Sequence, residues 1–256
     1  AAAITQQGNP YVFRTSFTQS TAMPKIANYI KDTVKAKVVD VVYVNNDFGK
    51  GGRDLIIKSL EARGIKIGAD ISSDPGQVDF SSVVIKAKQS NGDALFAYTN
   101  EEESARALRE FRKQGVKKML IGETTLTGQK VIELAGDAAN GAVAHVGLTV
   151  DAPIPEMLKF KAKYYQAYGS ISDHNGIKGY TGMYVLKAAI EKVGKLDRKA
   201  VAQALHGINI SAKKHPGVIM DVSFDEKGDL DRESFLVEVK NGRQSVVATL
   251  PALSKK

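Results

Sequence analysis

The sequence predicts an α/β fold in two lobes: a parallel βα lobe that is nearly complete, and a second lobe represented mainly by helices. Three observations carry this. Between residues 38 and 148, short β-branched runs alternate with helical apolar periodicity, the pattern of parallel strands joined by right-handed crossovers. From Pro155 to about Leu205 the periodicity is helical throughout, with no strand between the helices. Beyond residue 218 the pattern turns to strands linked by tight turns, an antiparallel ending.

Pro24 stands where a first helical turn would begin, with Ile26, Ala27 and Ile30 following at helical spacing. Val38–Val44 is a nearly unbroken β-branched run, which marks a strand buried on both faces. Asn45-Asn46-Asp47-Phe48-Gly49 comes next, then a helical pattern through Leu55, Ile56 and Leu60 that Gly64 stops. Residues 65–71 read as a strand. Asp79 is positioned to cap a helix whose Phe80, Val83, Val84 and Ala87 fall at i, i+3, i+4 and i+7. Residues 94–98 read as a strand, and Glu101-Glu102-Glu103 opens a helix with acids at the positive end of its dipole. Its Leu108 and Phe111 face inward, and Gly115 ends it. A strand at 118–121, a helix from about Gly128 to Ala135 and a strand at 142–148 continue the alternation.

Three helices are expected next. One covers residues 157–168, a longer one carries Ile177, Tyr180, Tyr184, Leu186, Ile190 and Val193, and a third starts near Asp197 with Val201 and Leu205 inward. Their apolar stripes need a partner, while the first sheet already has helices on both faces. The expectation is therefore a chain that lacks an N-terminal βαβ sheet of about 100 residues; the plainer alternative is that these helices cap the single sheet. Residues 218–224 read as a strand and Asp225-Glu226-Lys227-Gly228 as a turn. Residues 235–239 read as a strand, Asn241-Gly242 as a hairpin turn and 245–250 as the return strand.

Composition narrows the function classes. The chain is 43% hydrophobic and 25% charged, ordinary for a folded domain. No run approaches the roughly 18 apolar residues of a membrane helix, so a chain that is not membrane-embedded is expected. Ala1-Ala2-Ala3-Ile4-Thr5-Gln6-Gln7 has neither a basic start nor a long apolar core, so no signal peptide is legible; a trimmed chain would look the same, and destination stays open. With no cysteine, disulfides, thiol catalysis and thiolate metal sites are excluded. The net charge of +8 comes from dispersed pairs such as Lys35/Lys37, Lys117/Lys118 and Lys213/Lys214, without interleaved aromatics, so no nucleic-acid partner is expected.

Enzyme signatures are poor. His145, His174, His206 and His215 show no metal-ligand spacing. Ser211-Ala212-Lys213-Lys214 matches Ser-x-x-Lys in a polar loop without supporting motifs. Gly49-Lys50-Gly51-Gly52-Arg53-Asp54 follows a strand and opens a helix, as a dinucleotide fingerprint does, and Asp70 is a candidate ribose partner. Yet Asp54 occupies the third glycine's place, and Asp47-Phe48 would set a carboxylate and a ring near a pyrophosphate. An NAD-linked oxidoreductase is thus a remote alternative; no enzyme, metal or cofactor is expected.

The strand ends carry the candidate site. Phe48 follows the first strand of the alternation, Tyr98-Thr99-Asn100-Glu101 ends another, and Gly122-Glu123-Thr124-Thr125 ends a third. Carboxyl ends of parallel strands form a ligand-facing crevice. A ring, hydroxyls, an amide and carboxylates suit a small polar or zwitterionic molecule with an apolar part. Helix capping is the competing reading: Asn100 precedes three glutamates, and Thr125 or Thr127 precedes a helix.

Four segments resemble the periplasmic substrate-binding proteins of branched-chain amino acid ABC transporters. Asn9-Pro10-Tyr11-Val12-Phe13-Arg14-Thr15 looks like that family's first crossover between lobes. Asn46-Asp47-Phe48-Gly49-Lys50-Gly51 is similar to its strand–turn segment, where Tyr usually stands at the Phe48 place. Asp79-Phe80-Ser81-Ser82 with Asp93-Ala94-Leu95 matches its next βα unit, and Gly217-Val218 with Phe224-Asp225-Glu226-Lys227-Gly228-Asp229 its closing segment. The likeness runs over nearly the whole chain.

The resemblance implies a type I periplasmic-binding-protein fold with two lobes, three crossovers and ligand in the cleft. It assigns residues 1–16 to a crossover segment, 17–142 and 218–256 to the C-terminal-type βα lobe, and 150–210 to the helical part of the N-terminal-type lobe. It implies a periplasmic receptor for an amino acid or small carboxylate that delivers its ligand to the membrane permease of an ABC transporter. The ligand-binding residues it points to are Phe48, Tyr98, Thr99, Asn100, Glu123 and Thr124, with Glu123 pairing an ammonium. A ligand-sensing regulatory domain of the same fold is the alternative.

Overall fold

The computed structural model describes residues 3–253; the first two residues of the expected crossover segment and the last three of the expected lobe lie outside them. The described residues form two compact units. The first comprises Gln19–Val146 and Leu236–Ala248; the second comprises residues 3–18, Gly147–Phe235 and residues 249–253. The stretch 218–235, which the sequence groups with the βα lobe, thus clusters with the helical residues instead.

A short helix α1 (Ala3–Gln6) opens the described chain. The first unit runs α2 (Gln19–Tyr29), β1 (Val38–Val44), α3 (Asp47–Glu61), β2 (Lys66–Ser73) and α4 (Ser81–Gln89). It continues with β3 (Ala94–Tyr98), α5 (Glu101–Lys113), β4 (Met119–Glu123), α6 (Gln129–Ala135) and β5 (Val143–Val146). The second unit holds α7 (Pro155–Tyr168), α8 (His174–Val193), α9 (Arg198–Leu205), β6 (Asn209–Ile210) and β7 (Val222–Ser223). Strands β8 (Ser234–Lys240) and β9 (Arg243–Leu250) join the first unit's sheet, whose order is β2-β1-β3-β4-β5-β8-β9. The pairings β1–β2, β1–β3, β3–β4 and β4–β5 are all parallel. The two-residue turn between β8 and β9 makes that pair a hairpin, with Asn241 in the left-handed region at φ 50°.

Alternating side chains divide the sheet between two cores. On one face Val39, Val41, Phe96, Tyr98 and Ile121 pack with Met23, Ile26 and Ile30 of α2 and its extension and with Ile56 and Leu60 of α3. On the other face Val42, Leu95, Ala97 and Leu120 pack with Val83, Val84 and Ala87 of α4, Leu108 and Phe111 of α5, and Val131 and Ile132 of α6. Burial on both faces explains why β3, and β1 apart from Asp40, read as apolar runs.

Two readings need correction. Pro24 lies inside α2 rather than at its start. It removes one i→i−4 bond, and full burial of Met23, Ile26, Ala27 and Ile30 offsets that loss. The expected strand at 218–224 is a 3-10 turn at Pro216–Val218, a left-handed Ile219 (φ 66°) and only the short β7, which pairs antiparallel with β6. Its apolar residues were strand-like because Val218, Val222 and Phe224 are buried, but they fill a core with Val185 and Ala189 of α8 and Leu205 of α9. The helical segment therefore carries a small sheet. The Asp225 turn forms as read, with Gly228 N donating to Asp225 O, and the crossover-like segment meets it where Arg14 N donates to Gly228 O at 3.1 Å.

A buried charge closes the amino-terminal half of the first unit's sheet. Asp40 is fully buried in β1. Its carboxylate accepts from Ala69 N of β2 at 2.9 Å, from Ser90 Oγ at 2.5 Å and from Lys118 Nζ at 2.7 Å. Lys118 Nζ also donates to the carbonyls of Ala87 and Ser90. Gly92 is required here, because a Cβ would lie 2.4 Å from the Asp40 carboxyl carbon. Removing one partner of a buried pair strands the other charge. Lys118→Met is accordingly expected to destabilise the first unit by about 3 kcal/mol, and urea unfolding followed by circular dichroism checks it.

Candidate functional site

Strand order creates the site. β1 and β3 are neighbours, yet the chain leaving β1 enters α3 on one face while the chain leaving β3 enters α5 on the other. Between the two diverging connections a crevice opens at the carboxyl ends of the strands. Phe48 stands in the first turn of α3, Tyr98 ends β3, Thr99 and Asn100 link it to α5, Glu123 ends β4 and Thr124 follows. All six predicted site residues thus fall on one edge of the first unit.

An aromatic pair forms one wall. Asn46 caps α3, its side chain accepting from Gly49 N at 2.8 Å, which sets the Phe48 turn. The half-buried Phe48 ring stacks on Tyr98, centroids 4.3 Å apart at 24°. Tyr98 is buried and stacks in turn near Phe96 at 6.0 Å. Gly52 makes the pair possible, since a Cβ there would lie 2.1 Å from the Tyr98 ring. Gln19 ties the pair together, its Nε2 donating to Phe48 O at 2.9 Å and to Tyr98 Oη at 3.1 Å. No sequence motif singles out Gln19; a polar residue at the start of α2 reads as an ordinary helix start. Burial raises the Tyr98 phenol well above its ordinary value, the nearby Glu123 charge adds to the rise, and the Gln19 hydrogen bond opposes it.

A polar row continues from Tyr98. By strand alternation Tyr98, Glu123 and His145 of β5 face the same side of the sheet, and Glu123 pairs in register with His145. Thr124 Oγ1 donates to Glu123 Oε1 at 2.7 Å, and His145 Nδ1 lies 3.6 Å from the same oxygen. The Glu123 side chain is 17% exposed, and His145 is fully buried. His145 was visible in the sequence only as an isolated histidine; the strand register is what sets it beside Glu123.

The structure does not bring the Thr99 hydroxyl to the edge. Thr99 is buried, and its Oγ1 lies 2.8 Å from Ser104 Oγ. Asn100 occupies the N-cap position of α5 without a side-chain capping bond; its Nδ2 donates to Glu103 Oε1 at 3.2 Å. Glu103 also accepts from Gly76 N at 2.7 Å, and Arg106 donates to the carbonyls of Gly76 and Gln77. The β2–α4 loop is thereby fixed to the same rim. Thr125 and Thr127 do not cap α6, whose N-cap is Gly128. Both lie in the 3-10 turn Thr124–Thr127, which shifts the helix start beyond their reach.

The dinucleotide reading fails on these contacts. The space that the Gly52 hydrogen leaves holds the Tyr98 ring, and Asp70 pairs with Arg53 through Nε at 3.0 Å. Ser211 Oγ accepts from Lys213 N within its own turn. Among the described residues no group of three or more His, Asp or Glu side chains could hold a metal ion, and no helix is long and apolar enough to cross a membrane.

The first unit is thus a parallel α/β unit with an aromatic pair and a carboxylate at the carboxyl ends of its strands. The chain belongs to the Periplasmic binding protein family, which it matches over residues 1–244. It is 26% identical over 240 residues to the leucine-, isoleucine-, valine-, threonine-, and alanine-binding protein of Pseudomonas aeruginosa, covering 93% of this chain and 62% of the relative. It is 28% identical over 233 residues to a Leu/Ile/Val-binding protein of Rhizobium johnstonii, covering 91% and 62%. The chain thus spans less than two thirds of the length of these relatives.

Solved structures share the fold. A leucine binding protein from Thermotoga maritima matches with a TM-score of 0.85 at 24% identity over 96% of this chain and 69% of that one. A branched-chain amino acid transporter substrate binding protein from Streptococcus pneumoniae, in complex with isoleucine, gives 0.81 at 21% identity over 96% and 68%. A solute binding protein from R. palustris, in complex with benzoate, gives 0.84 at 20% identity over 95% and 67%. The architecture is the type I periplasmic-binding-protein fold.

The Tyr98 shift has a measurable consequence. A phenol raised by folding keeps its proton longer in the folded chain than in the unfolded one. Its contribution is complete below about pH 10 and declines as pH rises from there toward the folded value. Tyr98→Phe is expected to remove about one proton's worth of that alkaline decline, read as a flatter fall of urea midpoints between about pH 9 and about pH 11.

Proposed function

We propose that this chain is the ligand-receiving part of a periplasmic solute receptor of an ABC importer. It captures an amino acid or related small organic acid and delivers it to a membrane permease, without chemical conversion and without a cofactor. One observation carries the reading: the Phe48–Tyr98 stack and the Glu123 carboxylate lie along the same crevice edge at the β1/β3 switch point. An apolar ring beside an anion suits a molecule with both a hydrocarbon part and an ammonium. The relatives' names support it, since one is a binding protein for leucine, isoleucine, valine, threonine and alanine and another for Leu/Ile/Val. The fold neighbours bound to isoleucine and to benzoate support the wider class of small acids.

In this reading Phe48 packs on the apolar part of the ligand, and Tyr98 backs the Phe48 ring. Asn100 hydrogen-bonds polar atoms at the rim, Thr99 shapes the turn that carries it, and Glu123 pairs the ammonium while Thr124 holds its other side. A charge-paired contact of this kind costs upwards of about 2 kcal/mol to remove, equivalent to about 30-fold in affinity. Calorimetry of the full-length protein with L-leucine, L-isoleucine and L-valine is therefore expected to show Glu123→Gln weakening binding by at least about 30-fold. An unchanged affinity would remove Glu123 from the site.

A further inference from the structure

We propose that Gln19 is a positioning residue of the ligand site, a clamp from α2 that holds the Phe48 ring where it meets the ligand. This rests on the reading of Phe48 as the contact for the ligand's apolar part and deepens it. The helix start that carries Phe48 is weak in its own right. Gly49, Gly51 and Gly52 fall in the first two turns of α3, and glycine is the least favourable helix residue after proline. Packing forbids a stiffer choice at two of the three. A Cβ at Gly49 would lie 1.7 Å from the Val44 carbonyl oxygen, and one at Gly52 would lie 2.1 Å from the Tyr98 ring. The Phe48 turn is therefore held by side chains: Asn46 caps it through Gly49 N, and Gln19 reaches it from another helix. Gln19 is the first residue of α2 and only 7% exposed. Its Nε2 donates to Phe48 O at 2.9 Å and to Tyr98 Oη at 3.1 Å. A carbonyl only accepts, so the group facing Phe48 is the NH2, and Tyr98 Oη accepts the second hydrogen of the same nitrogen. One amide thus sets the separation between the first turn of α3 and the end of β3. That separation is the one at which the two rings stack, centroids 4.3 Å apart. Without the clamp the glycine-rich turn must be ordered when the ligand arrives, which costs affinity. Gln19 acts through Phe48 and is not itself placed against the ligand.

Calorimetry with L-leucine, L-isoleucine and L-valine on the full-length protein, with folding checked by circular dichroism, gives the test. Gln19→Met keeps the length and burial of the side chain and removes only its donor. It is expected to weaken binding by about fivefold, the size of one hydrogen bond's net contribution. Phe48→Ala removes the ring itself and is expected to weaken binding by at least about tenfold. The double variant Gln19→Met/Phe48→Ala should bind as Phe48→Ala does, because the clamp then has no ring to hold. A residue with a merely structural role would instead add its loss in both backgrounds. If Gln19→Met fails to fold, Gln19→Asn takes its place in the same cycle, its amide being one methylene too short to reach both acceptors. Parent-like affinity of the Gln19 variant, or the same fold loss with and without the Phe48 ring, overturns the proposal while leaving Phe48 as a contact. Parent-like affinity of Phe48→Ala, or a parent protein that binds none of the three amino acids, overturns the underlying reading, and with it this one.

Discussion

The first unit depends on one buried carboxylate. Asp40 sits on β1, between β2 and β3 in the sheet, and its partners come from β2, from the α4–β3 turn and from the residue before β4. An isolated ion there would be strongly disfavoured, so the three neighbours are not interchangeable decoration: each supplies a donor at a fixed height along the sheet. Asp93, whose carboxylate accepts from the backbone N–H groups of Lys37 and Val38, fixes the start of β1 in the same region. Polar demands at the amino-terminal end of the strands are met within the protein. At the carboxyl-terminal end the polar groups are arranged differently.

There the donors and acceptors support one another without being closed off. Gln19 holds both the Phe48 backbone and the Tyr98 hydroxyl, Gly52 leaves room for the ring, and Glu103 with Arg106 anchors the β2–α4 loop. Groups held this way by packed neighbours are fixed in place by the fold itself. Phenylalanine at position 48 fits this arrangement. A hydroxyl at 48 would add a polar group to the wall, whereas here the hydroxyl of the pair belongs to Tyr98, in the buried layer.

The alternation of strands and helices was legible because β1 and β3 are buried on both faces and the helices bury one stripe each. The edge that carries the six candidate residues was legible for a related reason: in parallel sheets the carboxyl ends of strands all face one way. Errors fell where burial and backbone conformation part company. The 218–224 run is apolar because it fills a core, and the left-handed Ile219 prevents it from being a strand. Thr99 looked like a ligand contact because it follows a strand, but Ser104, one turn into α5, takes its hydroxyl.

By itself the sequence determined the layers, the order of elements in the βα unit, and the residue types at its candidate edge, because periodicity and turn chemistry are local. Tertiary structure decided which residues meet. Gln19 reaches Tyr98 across 79 positions and Lys118 reaches Asp40 across 78, distances over which no local pattern carries information. The strand register decided that the lone buried histidine of β5 stands beside Glu123 rather than beside an apolar neighbour. The glycines after β1 resemble a dinucleotide fingerprint in sequence; packing shows that Gly52 makes room for a ring, since only the folded chain reveals what fills the space a missing Cβ leaves.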